Sequence, residues 1–213
     1  LDDAYQHLAI HRDLNLLLID AEQGLGNRHL LPFGVLREPE NQWKRADAVI
    51  LTKTNLATSD TVLQMLKHEL QVNCPVFKFK YEVQGLTRLD GKAQLNLNEI
   101  INKRLLLTSG IAQPKGFERL MEQQSVEIIG KIEFPDHHDY GAEDVRKILE
   151  KQQKLKPEYL LTTEKDAVKL RNFAELGEQI WVLEMEMIPD NLWNDFLAEF
   201  LRVKFENLKN ENH

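Results

Sequence analysis

The sequence predicts an α/β protein, and two features of its hydrophobic pattern support this class. Short apolar runs alternate with segments whose apolar residues recur at helical spacing, first over residues 14–70 and again over residues 104–209. Between them, residues 75–98 alternate apolar and polar side chains and contain the turn signals Gly85 and Asp90-Gly91. Strands that alternate with helices favour parallel sheets, whereas the middle segment favours an antiparallel β-ribbon. We therefore expect a parallel-sheet domain over 1–74, a β-ribbon linker over 75–99 and a second, smaller α/β domain over 100–213.

The first series contains two strands and one clear helix. LNLLLID (14–20) predicts a buried strand and RADAVILTK (45–53) contains a second one, while EPENQWKRA between them is compatible with a helix. SDTVLQMLKHEL predicts a helix that begins at Ser59 or Asp60. Its apolar residues at helical spacing are Val62, Met65, Leu66 and Leu70.

The second series alternates strands and helices before a long final helix. Strands are predicted in RLLLTSGIA, VEIIGKIEF, YLLTT and QIWVLEMEM, and helices in KGFERLMEQ, AEDVRKILEKQQ and EKDAVKL. The final helix is expected over roughly 190–209. One of its faces should carry Leu192, Phe196, Phe200 and Val203.

Composition and charge exclude several classes of protein. A formal net charge of −7 without a long Lys/Arg run argues against non-specific nucleic-acid binding, so no nucleic-acid partner is expected. The single cysteine, Cys74, excludes an intrachain disulfide framework and a thiolate zinc cluster, which fits a reducing compartment such as the cytosol. No stretch approaches the roughly 20 apolar residues that span a bilayer, and no signal peptide is visible. Because the first residue is Leu1 rather than Met, we expect the chain to be a piece of a longer protein.

An acid pair follows the first residue of the chain. In nucleotide-dependent phosphoryl transfer, acids at a strand end hold the magnesium ion that bridges the β- and γ-phosphates, opposite a Gly-rich Walker loop. Asp2 and Asp3 suit that role, although an Asp pair taken alone is more often a solvated turn. Gln6, His7 and His11 lie close by as candidate metal ligands, but magnesium prefers oxygen, and alone such residues are most often surface or capping residues.

The Walker loop itself has no match in these 213 residues. Its nearest approximation, Gly85 to Gly91-Lys92, is one residue too long and is followed by Ala93 where the loop requires Ser or Thr. This segment predicts a turn instead.

A second candidate segment, GNRHLLPFGVLREP (26–39), is a loop punctuated by Gly and Pro between a strand and the next helical segment. Function concentrates in such loops in α/β folds. Arg37 is a candidate phosphate ligand through its bidentate guanidinium, and Glu38 could orient a metal or cap the following helix. The alternative is a structural loop anchored by an ion pair.

A third candidate segment, FPDHHDY (134–140), follows a predicted strand at the carboxyl end, where open α/β sheets keep their chemistry. A carboxylate such as Asp136 beside an imidazole can orient a base that removes a proton from a substrate hydroxyl. Because neighbouring side chains in extended structure point in opposite directions, we expect only one of His137 and His138 to face the site.

The segment TTEKDAVKL forms the last candidate turn. Thr162 or Thr163 ends a strand, and Glu164 and Asp166 fall in the first turn of the following helix, where capping is a sufficient explanation for them. Lys165, in the same turn, is a further candidate for contact with a nucleotide.

Seven segments, in sequence order, resemble the tetraacyldisaccharide 4'-kinase family of lipid A biosynthesis. They are LDDAYQH, RDLNLLLIDA, GNRHLLPFGVLREP, RADAVILTK, SGIAQPKGFERL, FPDHHDY and LLTTEKDAVKL. Each motif alone is weak, but seven in order are specific, and they cover nearly the whole chain. The resemblance implies transfer of the ATP γ-phosphate, with Mg²⁺, to the 4'-hydroxyl of a tetraacyldisaccharide 1-phosphate at the cytoplasmic face of the bacterial inner membrane.

The resemblance also implies a fold and a set of site residues. The fold would be a P-loop kinase domain, with residues 1–74 as its carboxyl-terminal part, joined through the ribbon to a smaller, Rossmann-like α/β domain, with ATP in the cleft. By motif, Asp3 and Asp2 would be magnesium ligands, Gln6 and His7 would line the substrate side, and Arg37 and Glu38 would sit near the phosphates or the metal. His137, after Asp136, resembles a histidine that assists an upstream aspartate acting as the base.

Two departures from the family pattern qualify these expectations. Ala4-Tyr5 replaces the Gly-Phe that commonly follows the acid pair. The Walker loop, the aspartate base and the amino-terminal membrane-anchoring segment of the family are absent from these 213 residues, so we expect the chain alone to be inactive. The alternatives are a non-catalytic binding or regulatory module with the same fold, and a kinase for another lipid or sugar.

Overall fold

The computed structural model describes residues 4–56 and 59–211 and confirms an α/β fold in which parallel strand pairs predominate. The described strands are β1 (Leu16–Asp20), β2 (Ala48–Thr52), β3 (Val76–Arg88), β4 (Gln94–Leu95), β5 (Arg104–Ser109), β6 (Glu127–Glu133), β7 (Tyr159–Thr163) and β8 (Ile180–Pro189). The described α-helices are α1 (Ser59–Gln64), α2 (Pro114–Glu122), α3 (Ala142–Leu155), α4 (Glu164–Leu170) and α5 (Asn191–Glu211). Short 3₁₀ turns cover Glu40–Arg45, Leu97–Glu99 and Ala174–Leu176, and α1 continues as a π-helical turn over Met65–Glu69. Within the described ranges no helix combines the length and apolar character needed to cross a membrane.

The chain is organised as two compact units. The first comprises Leu1–Tyr81 with Met187–His213, and the second comprises Glu82–Glu186. Strands β3 and β8 each continue from one unit into the other. Helix α5 therefore groups with the first unit although it is the last element in sequence. The three-part division at residues 74 and 99 stays a prediction.

The first unit contains a parallel sheet with β2 at its centre. Leu17 of β1 lies opposite Val49, which in turn lies opposite Val76 of β3. Every residue of β2 is buried, as expected for a central parallel strand that is covered on both faces. One face packs against the α1 side, where Leu51 and Leu66 belong to the same core cluster.

Helix α5 packs on the opposite face of this sheet through aromatic rings. The rings of Trp193 and Phe196 lie 5.3 Å and 4.9 Å from that of Phe77, measured between centroids. Asp190 fixes the start of the helix, because its carboxylate accepts a 2.8 Å hydrogen bond from the backbone N–H of Lys78 and a 3.2 Å one from that of Trp193. This anchoring sets the rotation of the helix and directs Trp193 toward β3.

Two predicted burial patterns are wrong. Leu18 is exposed in β1, because it points away from the core face that Leu17 and Ile19 contact. In α5, Leu192 and Val203 are exposed. Phe196 and Phe200 of the predicted face are half-buried, but the rotation imposed at Asp190 places Trp193 on the packed face instead of Leu192.

The second unit contains a parallel sheet in the order β8-β7-β5-β6. Its apolar runs all form strands as predicted, and α2, α3 and α4 form at the predicted segments. The core includes Leu106, Ile132, Ile148 and Leu160.

The predicted ribbon is a hairpin in part only. The end of β3 pairs antiparallel with β4, and Gly91 adopts the positive φ of +74° that this tight connection requires. Gly85, predicted as a turn residue, lies within β3 instead, because β3 is one continuous strand of 13 residues. The first residues of β3, Val76–Lys78, pair in parallel with β2.

The carboxyl ends of β5, β6 and β7 meet at one edge of the second sheet. They end at Ser109, Glu133 and Thr163, and parallel strands deliver their following loops to the same edge. The SGIAQ turn, the FPDHHDY loop and the start of α4 are therefore neighbours.

Candidate functional site

A cavity of about 890 Å³ lies in the first unit. Its lining comes from residues 4–6, 11–20, 23–25, 35–40 and 42–43. The cavity brings Gln6 together with Arg37 and Glu38, which are more than 30 residues away in sequence. Three of the predicted site residues thus share one lining.

An ion pair anchors the loop that carries Arg37. The carboxylate of Glu38 accepts a hydrogen bond from Arg45. The guanidinium of Arg45 also donates to Gln42 Oε1 at 3.1 Å and lies 4.7 Å from the centroid of the Tyr5 ring. The Tyr5 hydroxyl donates a 2.7 Å hydrogen bond to the carbonyl oxygen of Gln42. Burial raises the pKa of the Tyr5 phenol. Glu38 therefore orients the loop through Arg45.

Asp20 is a cavity residue that the sequence analysis missed. It is the last residue of β1, and its Oδ2 lies 2.6 Å from Nζ of Lys53, which follows β2. Since β1 and β2 are parallel neighbours, their ends place this pair at the same edge. The sequence could have indicated this pair, because Asp20 ends one predicted strand and Lys53 follows the next one.

The structure describes only part of the LDDAYQH motif. Asp2 and Asp3 lie outside the described residues. His7 is exposed, and its carbonyl oxygen accepts a hydrogen bond from Arg12, which also donates to the carbonyl oxygen of Ala4 at 2.9 Å. Arg12 therefore holds the turn at residues 4–7, within the motif.

The described residues alone do not fit a magnesium site. Across 4–56 and 59–211, no group of three or more His, Cys, Asp or Glu side chains is arranged to hold a metal ion. Glu38 is engaged by Arg45, and Asp20 by Lys53. A metal assignment therefore depends on Asp2 and Asp3.

In the second unit, Asp136 is paired with Lys165 rather than with a histidine. Nζ of Lys165 lies 2.8 Å from Asp136 Oδ1, and this hydrogen bond holds the pKa of Asp136 below its ordinary value. Nε2 of His137 lies 3.7 Å from Asp136 Oδ2, which is beyond hydrogen-bond distance. Lys165 thus has a protein partner at the sheet edge.

The two adjacent histidines have different environments. The side chain of His137 is 76% exposed, and its backbone has a positive φ of +58°. The ring of His138 stacks on Phe134 with centroids 4.8 Å apart, and its Nε2 lies 2.9 Å from Asp144 Oδ2. His138 therefore packs into the fold, while His137 presents its imidazole to solvent.

Lys169 holds the backbone of the histidine loop. Its Nζ donates to the carbonyl oxygens of His137 at 2.8 Å and His138 at 2.7 Å, and to Asp139 Oδ1 at 3.2 Å. Three acceptors on consecutive residues fix the loop against α4, which orients the exposed His137.

Asp166 connects the three loops at the sheet edge. Its buried carboxylate accepts hydrogen bonds from the backbone N–H of Gly110 at 3.0 Å, the Tyr140 hydroxyl at 2.9 Å and the Thr163 hydroxyl at 2.7 Å. Thr163 also accepts from the backbone N–H of Asp166, so the predicted cap is present. Burial, with the charge of Asp166, raises the pKa of Tyr140. Capping alone does not account for Asp166, since two of its donors come from other loops.

Comparison with known proteins identifies the family. The model of the tetraacyldisaccharide-1-P 4'-kinase family matches residues 1–202. The chain belongs to this family. Similar relatives include the tetraacyldisaccharide 4'-kinases of Bdellovibrio bacteriovorus, 39% identical over 87% of this chain and 55% of the relative, and of Desulfatibacillum aliphaticivorans, 33% identical over 95% and 56%.

The family assignment extends to a solved structure. The kinase LpxK from Aquifex aeolicus, in complex with ATP, is 26% identical and matches with a TM-score of 0.63 over 95% of this chain and 56% of that one. The chain spans about half the length of the curated tetraacyldisaccharide 4'-kinases it matches. The predicted family is thus confirmed, and the α/β fold is that of this kinase family.

Proposed function

We propose that this chain is part of a kinase that transfers the γ-phosphate of ATP to the 4'-hydroxyl of a tetraacyldisaccharide 1-phosphate. The observation that carries the proposal is the family match over residues 1–202. The names of the curated relatives and the ATP bound by the Aquifex aeolicus protein support the acceptor and the donor. From the resemblance of the motifs, we also propose the cytoplasmic face of the bacterial inner membrane as the site of action.

Arg37 binds phosphate oxygens in this proposal. Its planar guanidinium offers paired N–H donors that match a phosphate, and its position on the cavity lining is supported by the Glu38–Arg45 pair next to it. Gln6, which lines the same cavity, would contact the substrate side together with His7. The protein contributes positioning and charge, which supply nearly all of the catalysis in phosphoryl transfer.

Asp3 and Asp2 are the proposed ligands of Mg²⁺. This assignment comes from the LDDAYQH motif, since the described residues do not form a metal site without them. When bound, the ion supplies neutralisation of charge on the β- and γ-phosphates.

His137 acts on the acceptor side. Its exposed imidazole, on a backbone held by Lys169, is available to orient an aspartate that removes the proton of the 4'-hydroxyl. Asp136, paired with Lys165, keeps a negative charge beside the ring. The aspartate base and a Walker loop would both come from outside these 213 residues, so we expect the 213 residues alone to be inactive.

An acceptor assay tests the proposal. The purified native gene product and the isolated 213-residue chain are each incubated with ATP labelled at the γ-phosphate and with the tetraacyldisaccharide 1-phosphate, or with the same disaccharide lacking acyl chains. We expect labelled lipid only from the native product and the acylated acceptor. Labelling of another lipid or sugar in preference would overturn the substrate assignment, and turnover by the isolated chain would overturn its proposed inactivity.

A further inference from the structure

The first unit exposes a cluster of large apolar side chains in one short loop. We define the apolar loop as residues 28–37, with the sequence RHLLPFGVLR. Phe33 is 82% exposed and Leu31 is 62% exposed, and Leu30 and Val35 beside them are exposed as well. Single exposed apolar residues are ordinary, but four within six positions mark an interaction surface.

The apolar loop is ordered by its own backbone. The N–H of Leu31 donates to the carbonyl oxygen of Leu36 at 2.9 Å, and the N–H of Leu36 donates to that of His29 at 3.2 Å. The side chain of Asn27 donates to the carbonyl oxygen of Phe33 at 2.8 Å. The outward direction of Phe33 is therefore built into the turn and does not reflect a loose chain.

Gly34 shows how tightly the turn is closed. A Cβ at this position would lie 2.2 Å from Asn27 Oδ1 and 2.2 Å from the carbonyl oxygen of His29. Only glycine allows the backbone to pass this close, so a larger residue would open the turn and displace the tip.

The apolar loop contains none of the carboxylates that an anionic lipid surface would repel. In a chain of net charge −7, no Asp or Glu occurs between Glu22 and Glu38, whereas this interval contains Arg28, His29 and Arg37. Arg28 forms ion pairs with Glu69 and Glu40 at the base of the loop. The tip itself would bring no carboxylate into the interface, where acids are disfavoured.

We propose that the apolar loop inserts Leu31 and Phe33 into the surface of an anionic phospholipid bilayer. Shallow burial of apolar side chains beside cationic residues is the physical basis of interfacial membrane binding. The inference deepens the proposed function, because an acceptor with four acyl chains resides in a membrane, and it places the cavity lined by Val35 and Arg37 next to the lipid surface.

Local fluorescence tests the insertion independently of catalysis. Phe33→Trp is introduced into the native gene product, which is mixed with vesicles of phosphatidylethanolamine and phosphatidylglycerol that contain brominated acyl chains but no kinase substrate. We expect a blue shift and bromine quenching beyond the values of the parent protein. Phe205→Trp on α5, at a site that is 61% exposed and followed by Glu206, is the matched control and should show neither.

Serine variants test the energetic contribution. Phe33→Ser and Leu31→Ser should each weaken the initial rate on vesicle-embedded acceptor by roughly tenfold through lost partitioning, with little change on detergent-dispersed acceptor. Leu192→Ser, at a site on α5 that is 67% exposed, is the control.

Three results would overturn the inference. The first is an aqueous, unquenched emission from the tryptophan of the Phe33→Trp variant in the presence of vesicles. The second is a blue shift produced by the dispersed acceptor alone, which would assign the loop to the acyl chains of the substrate. The third is an equal loss of rate in vesicles and detergent. Failure of the kinase proposal leaves the quenching experiment intact, because that experiment contains no substrate.

Discussion

The hydroxyl of Tyr140 donates a 2.9 Å hydrogen bond to Asp166, a carboxylate that is only 3% exposed. The same carboxylate accepts from the backbone of Gly110 and the hydroxyl of Thr163. The residues that follow β5, β6 and β7 are therefore joined through one acceptor. A buried acceptor with several donors is costly to remove, because each donor is left without a partner.

Removing that acceptor should destabilise the second unit. We expect Asp166→Ala to lower the free energy of unfolding by about 2–3 kcal/mol, and Tyr140→Phe by about 1–2 kcal/mol, since only one hydrogen bond is lost. Urea titration measures both values. Glu164→Ala, at an exposed position two residues earlier in α4, is the control and should stay within about 0.5 kcal/mol of the parent. If Asp166→Ala lowered the free energy of unfolding by no more than the control does, this account would be contradicted.

The two adjacent histidines should separate catalysis from stability. His137→Ala should lower kcat in the native gene product by roughly 10²-fold or more while ATP affinity and unfolding free energy stay nearly unchanged, because the ring is exposed. His138→Ala should instead destabilise the protein by about 1–2 kcal/mol through the lost Phe134 stacking and Asp144 contact. Steady-state kinetics and urea titration on both variants check this. An unchanged kcat in His137→Ala would remove His137 from the mechanism.

Arg37 should be required for phosphate binding. We expect Arg37→Ala to lower kcat/KM for ATP by roughly 10²- to 10³-fold, comparable to the loss of an oxyanion donor. Arg37→Lys should recover only part of this, because lysine retains the charge but lacks the bidentate fork. Arg146→Ala is the control, since Arg146 is exposed on α3 and paired with Glu143. Activity in Arg37→Ala equal to that of this control would exclude the assigned role.

Stability should fall in acid partly through Asp144. The backbone N–H of Gly141, followed by His138, holds the pKa of Asp144 below its ordinary value. The folded state therefore releases this proton more readily than the unfolded state, so the contribution is present above about pH 4 and is lost as pH falls through the lowered pKa.

The Asp144→Asn variant checks that sign. Its unfolding free energy should fall less steeply than that of the parent between roughly pH 5 and pH 2. A parallel pH dependence for Asp144→Asn and the parent would show that Asp144 does not contribute.

Local patterns predicted the elements of the second unit well. Helical spacing in AEDVRKILEKQQ and apolar runs such as YLLTT are properties of neighbouring residues, so α3 and β7 form where expected. The rotation of α5 was not predictable in this way, because it depends on the contact between Asp190 and Lys78, 112 residues apart. The same limit explains why Leu192 was assigned to the wrong face.

For the candidate site, the sequence indicated the residues but not the partners that they contact in the fold. Motif order identified the family and selected Arg37, Glu38 and His137 as site residues, whose roles stay predictions. The partners of these residues were not predicted. Lys165 reaches Asp136 across 29 residues, and Tyr140 reaches Asp166 across 26, because the order β7-β5-β6 brings their loops together. Sequence spacing does not contain that information.

The position of the transferred phosphate tests the central claim most directly. The native gene product is incubated with ATP and tetraacyldisaccharide 1-phosphate, and the lipid product is analysed by mass spectrometry and ³¹P NMR. The account predicts one added phosphoryl group, bonded to the 4'-oxygen, with the 1-phosphate retained. A product phosphorylated elsewhere, or an unmodified lipid in the presence of ATP-dependent phosphorylation of another acceptor, would contradict it.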